Sequence, residues 1–141
     1  LSTNAADYQS FLKINRPRYD DSWERWNRTL KMLSTLGTRT VLRITLIRGY
    51  NDDEEMIPAF ASLLQKSNVH FVEIKSYMHI GRSTNRLEYS DMLEMDEVRS
   101  FADKLVQENN AFTVMDESEI SRIVILQNKK RFIDRFIPAY C

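Results

Sequence analysis

The chain has 141 residues, 43% of them hydrophobic, and its 20 basic side chains cancel 20 acidic ones. That length buries roughly 68% of the unfolded surface, enough for one compact unit. The balance of charge excludes nucleic-acid binding through overall attraction, so any RNA contact must come from local patches. No apolar run approaches the roughly 18 residues of a membrane span, and the amino terminus lacks a signal-peptide pattern. A cytoplasmic protein without a membrane partner is expected. The single cysteine, Cys141, provides neither an internal disulfide nor a metal-binding cluster, and three glycines leave no glycine-rich phosphate cradle.

In chain order, residues 6–14 read as a short helix stopped by Arg16-Pro17, because the residue before proline is pushed out of the helical region. A second helix follows, with Asp21 and Glu24 at capping-box spacing and an apolar stripe of Trp23, Trp26, Leu30 and Leu33. The tryptophans are expected in the core. Residues 38–47 form the clearest strand, with Leu42, Ile44 and Leu46 on one face and Val41, Arg43, Thr45 and Ile47 on the other. Met56, Ile57, Phe60, Leu63 and Leu64 mark the next helix, which Pro58 either delays or kinks.

A strand beginning at Val69 completes a strand-helix-strand unit of about 30 residues, the pattern of a parallel pair. It places His70, Val72 and Ile74 on one side and Val69, Phe71, Glu73 and Lys75 on the other. A carboxylate and an ammonium on one sheet face imply a partner or a ligand, since unpaired buried charge is expensive. A basic loop, residues 79–86, follows. Beyond it lie a helix carrying Met95, Val98, Phe101, Ala102 and Leu105 and two strands, 112–117 and 121–127, joined as an antiparallel hairpin. A soft boundary near Tyr77 divides residues 1–76 from residues 77–141. The two histidines, His70 and His79, have no metal-ligand spacing, and no metal site is expected.

The run from Val72 to Leu87 resembles the Val-Glu-x-Lys-x-Tyr-Met-x-x-Gly-x-Ser-x-Asn-Arg-Leu segment of the tRNA 4-demethylwyosine synthases, radical S-adenosylmethionine enzymes. Further matches fall in the same order. Ser2-Thr3-Asn4-Ala5 is similar to the family's Ser-x-Asp-Ala, Lys13 to Pro17 to its Lys-x-x-Arg-Pro, Trp23-Glu24-Arg25 to its Trp-Glu-Arg, and Glu117 to Val124 to its hairpin. The chain departs from the pattern at Ser76, where glycine or alanine is usual, and at Leu93, where an Asn-Met-Pro turn has proline.

The resemblance implies an α/β fold: the C-terminal part of a partial (β/α)6 radical-SAM barrel, residues 1–76, with a family-specific helix and β-hairpin appended over 77–141. It implies a lyase-type enzyme of wyosine biosynthesis that condenses 1-methylguanosine 37 of tRNA-Phe with pyruvate, using S-adenosyl-L-methionine and a [4Fe-4S] cluster. The cluster's Cys-x3-Cys-x2-Cys loop is absent from this sequence. An N-terminal half of the same protein is therefore expected to supply it, with this chain inactive alone. A non-catalytic RNA-binding module derived from the same barrel is the alternative.

By the same resemblance Ser2, Asn4, Arg43 and Thr45 lie on the cofactor side and Glu73, Lys75 and Tyr77 nearer the substrate. Arg82, Asn85 and Arg86 of the basic loop face tRNA, combining phosphate contacts with a stacking surface at Tyr77. Arg16, Arg18, Lys129, Lys130 and Arg131 read as surface charge that extends that path at most. From the residues alone, without the resemblance, a buried Arg43–Glu73 ion pair that fixes strand register is the preferred reading. Lys75 has three open roles: pairing with Glu73, holding a phosphate, or forming a Schiff base with a ketone. The residues that transfer protons are not assigned.

Overall fold

The computed structural model describes residues 1–137, so Cys141 lies outside the described residues. Five strands form one sheet in the order β1-β2-β3-β5-β4. Its parallel part is β1 (Ser2–Thr3), β2 (Val41–Leu46) and β3 (Phe71–Ser76). Strand β5 (Ile123–Asn128) runs antiparallel to β3, and β4 (Phe112–Ser118) pairs with β5 at the edge. The expected hairpin is therefore continuous with the parallel strands. Ile74 stands opposite Val124, and Val72 opposite Leu126, so apolar side chains of both segments meet on one sheet face.

Helices α2 (Ser22–Met32), α3 (Ile57–Ser67) and α4 (Met95–Glu108) cover that face. Leu30, Phe60, Leu64, Val98 and Leu105 join Leu42, Ile44 and Leu46 in the main core, each with almost no exposed surface. Fully burying such a side chain contributes about 1.5–3 kcal/mol. Phe60 meets Phe101 edge-on, with ring centroids 5.7 Å apart. Pro58 sits in the first turn of α3, where its missing N–H costs nothing, so the helix starts late and does not kink. Asn68 closes it in the left-handed region at φ 42°.

Two details differ from the sequence expectation. Asp21 makes no side-chain cap for α2, because its carboxylate instead accepts from Arg25 Nε at 2.7 Å. The charge pair one turn along the helix outcompetes the capping box. The tryptophans are only partly in the core: Trp26 packs against it, while Trp23 stacks on Trp26 at 5.3 Å and meets Phe11 of α1 (Tyr8–Asn15) at a 60° tilt with centroids 5.1 Å apart.

His70 is buried at the start of β3 and has a structural role. Its Nδ1 accepts the Thr40 N–H at 3.1 Å and lies 2.9 Å from the Thr40 hydroxyl, tying the β2 and β3 entrances together. Burial, and then the nearby Arg131 and Arg39 guanidinium groups, push its pKa below the usual 6.5. A neutral ring is thus favoured in the fold, and protonation removes the acceptor that Thr40 uses. Stability is expected to be full above pH 6.5 and to decline as pH falls from there through the depressed folded value. Urea unfolding between about pH 7.5 and about pH 5 checks this. The decline should shrink in His70→Asn, whose amide does not titrate.

Candidate functional site

The carboxyl ends of β1, β2 and β3 open into a pocket of about 400 Å³. Strand alternation and register explain which side chains enter it. Arg43 stands opposite Glu73 and Thr45 opposite Lys75 across the β2–β3 ladder, on the face the helices leave uncovered. Ser2, Asn4, Arg43, Thr45, Lys75 and Tyr77 all line the pocket. Crevices beyond the carboxyl ends of parallel strands are the usual ligand sites of α/β sheets. A groove of about 470 Å³ lies at the opposite end, but Asn109 and Asn128 there are committed to the Ala61 and Val69 carbonyls. No charges from the strands converge on it, and the smaller pocket is the better site.

Glu73 does not line the pocket. Its carboxylate accepts from Arg43 Nε at 2.8 Å and Arg43 Nη2 at 3.0 Å, an arrangement that leaves Nη1 free of it. That bidentate contact raises the Arg43 pKa, chiefly through the hydrogen bond and then through the charge of Glu73. With Glu73 engaged by Arg43, Lys75 makes no ion pair among the described residues. Of its three open roles, pairing with Glu73 is the one the geometry removes.

The loop beyond β3 forms one wall. A 3-10 turn over Gly81–Asn85 brings Ser83 and Arg86 to the pocket, whereas Arg82 and Asn85 are exposed outside it. Tyr77 is buried with Ile14, Ile47, Leu87 and Met92 beneath that wall, and its hydroxyl lies 3.2 Å from His79 Nδ1. Helix α1 supplies the opposite wall. Arg16 ends it in the left-handed region at φ 45°, and Lys13 Nζ lies 4.8 Å from the Tyr50 ring centre.

Sequence reasoning missed Lys13 and Tyr50 as pocket residues, because a helix terminus and a loop tip carry no strand periodicity to orient them. Asn51 was missed for the same reason. It is fully buried: its Oδ1 accepts the Ile47 N–H at 2.7 Å, and its Nδ2 donates to the Asn4 and Thr45 carbonyls, each at 2.8 Å. Asn4 itself carries the only buried side-chain oxygen or nitrogen without a partner among the described residues, its Oδ1. An orphan acceptor in a pocket wall costs about 1–3 kcal/mol unless a ligand satisfies it.

No group of three histidine, cysteine, aspartate or glutamate side chains among the described residues is placed to hold a metal ion. No helix among them is long and apolar enough to cross a membrane.

Residues 66–128 match the family described as Wyosine base formation. The chain is 42% identical to the S-adenosyl-L-methionine-dependent tRNA 4-demethylwyosine synthase of Methanocaldococcus jannaschii, over 95% of this chain and 41% of that protein. It is 33% identical to the mouse (Mus musculus) enzyme of the same name, over 95% of this chain and 18% of that one. Among solved structures, TYW1 with a lysine-pyruvate adduct bound superposes with a TM-score of 0.82 at 40% identity, over 94% of this chain and 41% of that chain. The chain thus spans about two fifths of the archaeal relative's length. With the motifs in order, the identity sustained over nearly the whole chain and the fold in common, the chain belongs to the tRNA 4-demethylwyosine synthase family.

Proposed function

We propose that this chain forms one wall of the reaction chamber, and part of the tRNA surface, of a lyase-type radical S-adenosylmethionine enzyme. The complete protein would condense 1-methylguanosine 37 of tRNA-Phe with pyruvate to 4-demethylwyosine. Residues 1–76 would be the closing strands of a partial (β/α)6 barrel, and residues 77–141 the family-specific extension. The observation that carries this reading is the convergence of Asn4, Arg43, Thr45 and Lys75 at the carboxyl ends of three adjacent parallel strands.

The donor set fits S-adenosyl-L-methionine. Arg43 Nη1 supplies a cation for a carboxylate, Thr45 a hydroxyl, and the orphan Asn4 Oδ1 an acceptor for an N–H or O–H of the ligand. When bound, that cofactor supplies the one-electron chemistry. The residues of this chain do not fit a [4Fe-4S] cluster, since the sole cysteine of the sequence is Cys141. Cluster ligands would come from an N-terminal half of the same protein.

Lys75 takes an electrostatic role, its ammonium offering a counter-charge to the carboxylate of pyruvate or to a phosphate. The solved TYW1 relative holds a lysine-pyruvate adduct, and in this chain Lys13 and Lys75 are the lysines that reach the pocket. Tyr77 and Arg86 extend the site towards the loop. Arg82 and Asn85, which are exposed, would contact the tRNA backbone, and Glu73 would act on the cofactor side by orienting Arg43.

The test is product formation by the full-length protein supplied with S-adenosyl-L-methionine, reductant, pyruvate and tRNA-Phe bearing 1-methylguanosine. Formation of 4-demethylwyosine is expected. Tight tRNA binding without product would instead select the RNA-binding module. Borohydride reduction with labelled pyruvate reads the lysine role: label on a lysine outside this chain agrees with the electrostatic assignment, and label on Lys75 replaces it with covalent chemistry.

A further inference from the structure

We infer that Asn51 is a positioning residue for the pocket, a buried latch that sets where Asn4 presents its side chain to the ligand. The inference rests on the proposed cofactor role of Asn4 and assigns a role to a residue outside the pocket lining. Asn51 comes from the turn after β2, yet its three hydrogen bonds all end on the carboxyl ends of strands. It accepts from Ile47, just beyond β2, and donates to the carbonyls of Thr45 in β2 and Asn4 beyond β1. An amide is the side chain with both the acceptor and the two donors this geometry uses.

The need for such a latch follows from where β1 ends at its carboxyl side. Only Ser2 and Thr3 pair in register with β2, so the ladder ends before Asn4. Beyond the ladder no strand partner among the described residues holds the Asn4 backbone in place. Asn51 supplies the restraint through the Asn4 backbone carbonyl, leaving the Asn4 side chain uncommitted, with its Oδ1 buried and unpartnered. A shift of Asn4 by even a fraction of an ångström would misplace that acceptor, because hydrogen bonds weaken steeply away from good geometry.

Calorimetric titration of the full-length protein with S-adenosyl-L-methionine, in the absence of reductant, tests this without relying on turnover. Asn51→Ala is expected to weaken binding by about tenfold, the worth of one well-formed hydrogen bond. Asn4→Ala should weaken it to a similar degree, and the double variant should be no worse than Asn4→Ala alone, since one residue acts through the other. Asn51→Asp retains the acceptor for Ile47 and serves where the alanine variant does not fold. It should also weaken binding, because its carboxylate faces two carbonyls. A folded Asn51 variant with unchanged affinity and only a lower Tm would overturn the inference, as would losses that add in the double variant. Absence of binding by the unaltered protein would remove the proposed cofactor site and this inference together, whereas binding indifferent to Asn51 defeats this inference alone.

Discussion

Replacing Arg43 by alanine in the full-length protein is expected to weaken S-adenosyl-L-methionine binding by about tenfold to a hundredfold while lowering stability by about 1–2 kcal/mol. The two magnitudes separate the two roles that the sequence leaves open for this residue. Were Arg43 only half of a register-fixing ion pair, its loss would be felt in stability and not in affinity. The Arg43 side chain is 51% exposed, so solvent screens the pair from that side, while Glu73 at 15% exposed adds the cost of a carboxylate left without its partner. The guanidinium meanwhile lines the pocket with Nη1 unused by Glu73, where a hydrogen bond to a carboxylate is worth about 1.5–3 kcal/mol. Arg43→Lys should recover only part of the loss, because an ammonium cannot hold Glu73 through one edge and a ligand through the other. Glu73→Ala should weaken binding in the Arg43 protein and do nothing further in Arg43→Ala. Unchanged affinity in Arg43→Ala, measured by the same titration, would return the pair to a purely structural role.

The pocket was legible in the sequence to the extent that strand alternation controls it. A period of two in residues 41–46 and 71–76 puts Arg43, Thr45, Glu73 and Lys75 on one face whichever strands lie beside them, and they are on one face. Alternation cannot say how far each side chain reaches. The sequence left Glu73 open to pairing with either Arg43 or Lys75, and parallel pairing sets it beside Arg43 and leaves Lys75 beside the uncharged Thr45. The insertion of β5 between β3 and β4 was equally invisible. It depends on contacts such as Ile74 with Val124, fifty residues apart, while the local signal is satisfied by any antiparallel hairpin. Asn51 gave no signal at all, since a polar residue in a loop is ordinary until the carbonyls it meets are known.

Two departures from the family pattern, Ser76 and Leu93, touch each other, which converts a pair of apparent exceptions into one interaction. Ser76 has no exposed surface, and its Oγ accepts the Leu93 N–H at 2.8 Å while donating to the Tyr77 carbonyl at 2.9 Å. Proline at 93 would have no N–H to satisfy, and glycine or alanine at 76 would have no hydroxyl to satisfy it. Ser76→Ala alone is therefore expected to destabilise the full-length protein by about 1–3 kcal/mol, the cost of a buried donor left without a partner. Leu93→Pro alone removes a core leucine and idles the Ser76 acceptor, for a loss of about 2–4 kcal/mol. Met92 before it is already extended at φ −76° and ψ 138°, as a residue preceding proline must be, but the proline ring would meet Ser76 Oγ where the N–H now points. In the double variant the orphan donor disappears, so its loss should fall short of the sum of the single losses by about 1–2 kcal/mol. Urea unfolding of the four proteins measures that coupling, and hydrogen exchange at the Leu93 amide supplies a direct readout, with protection lost in Ser76→Ala. Additive losses with an amide that stays protected would mean that the contact does not bear on stability.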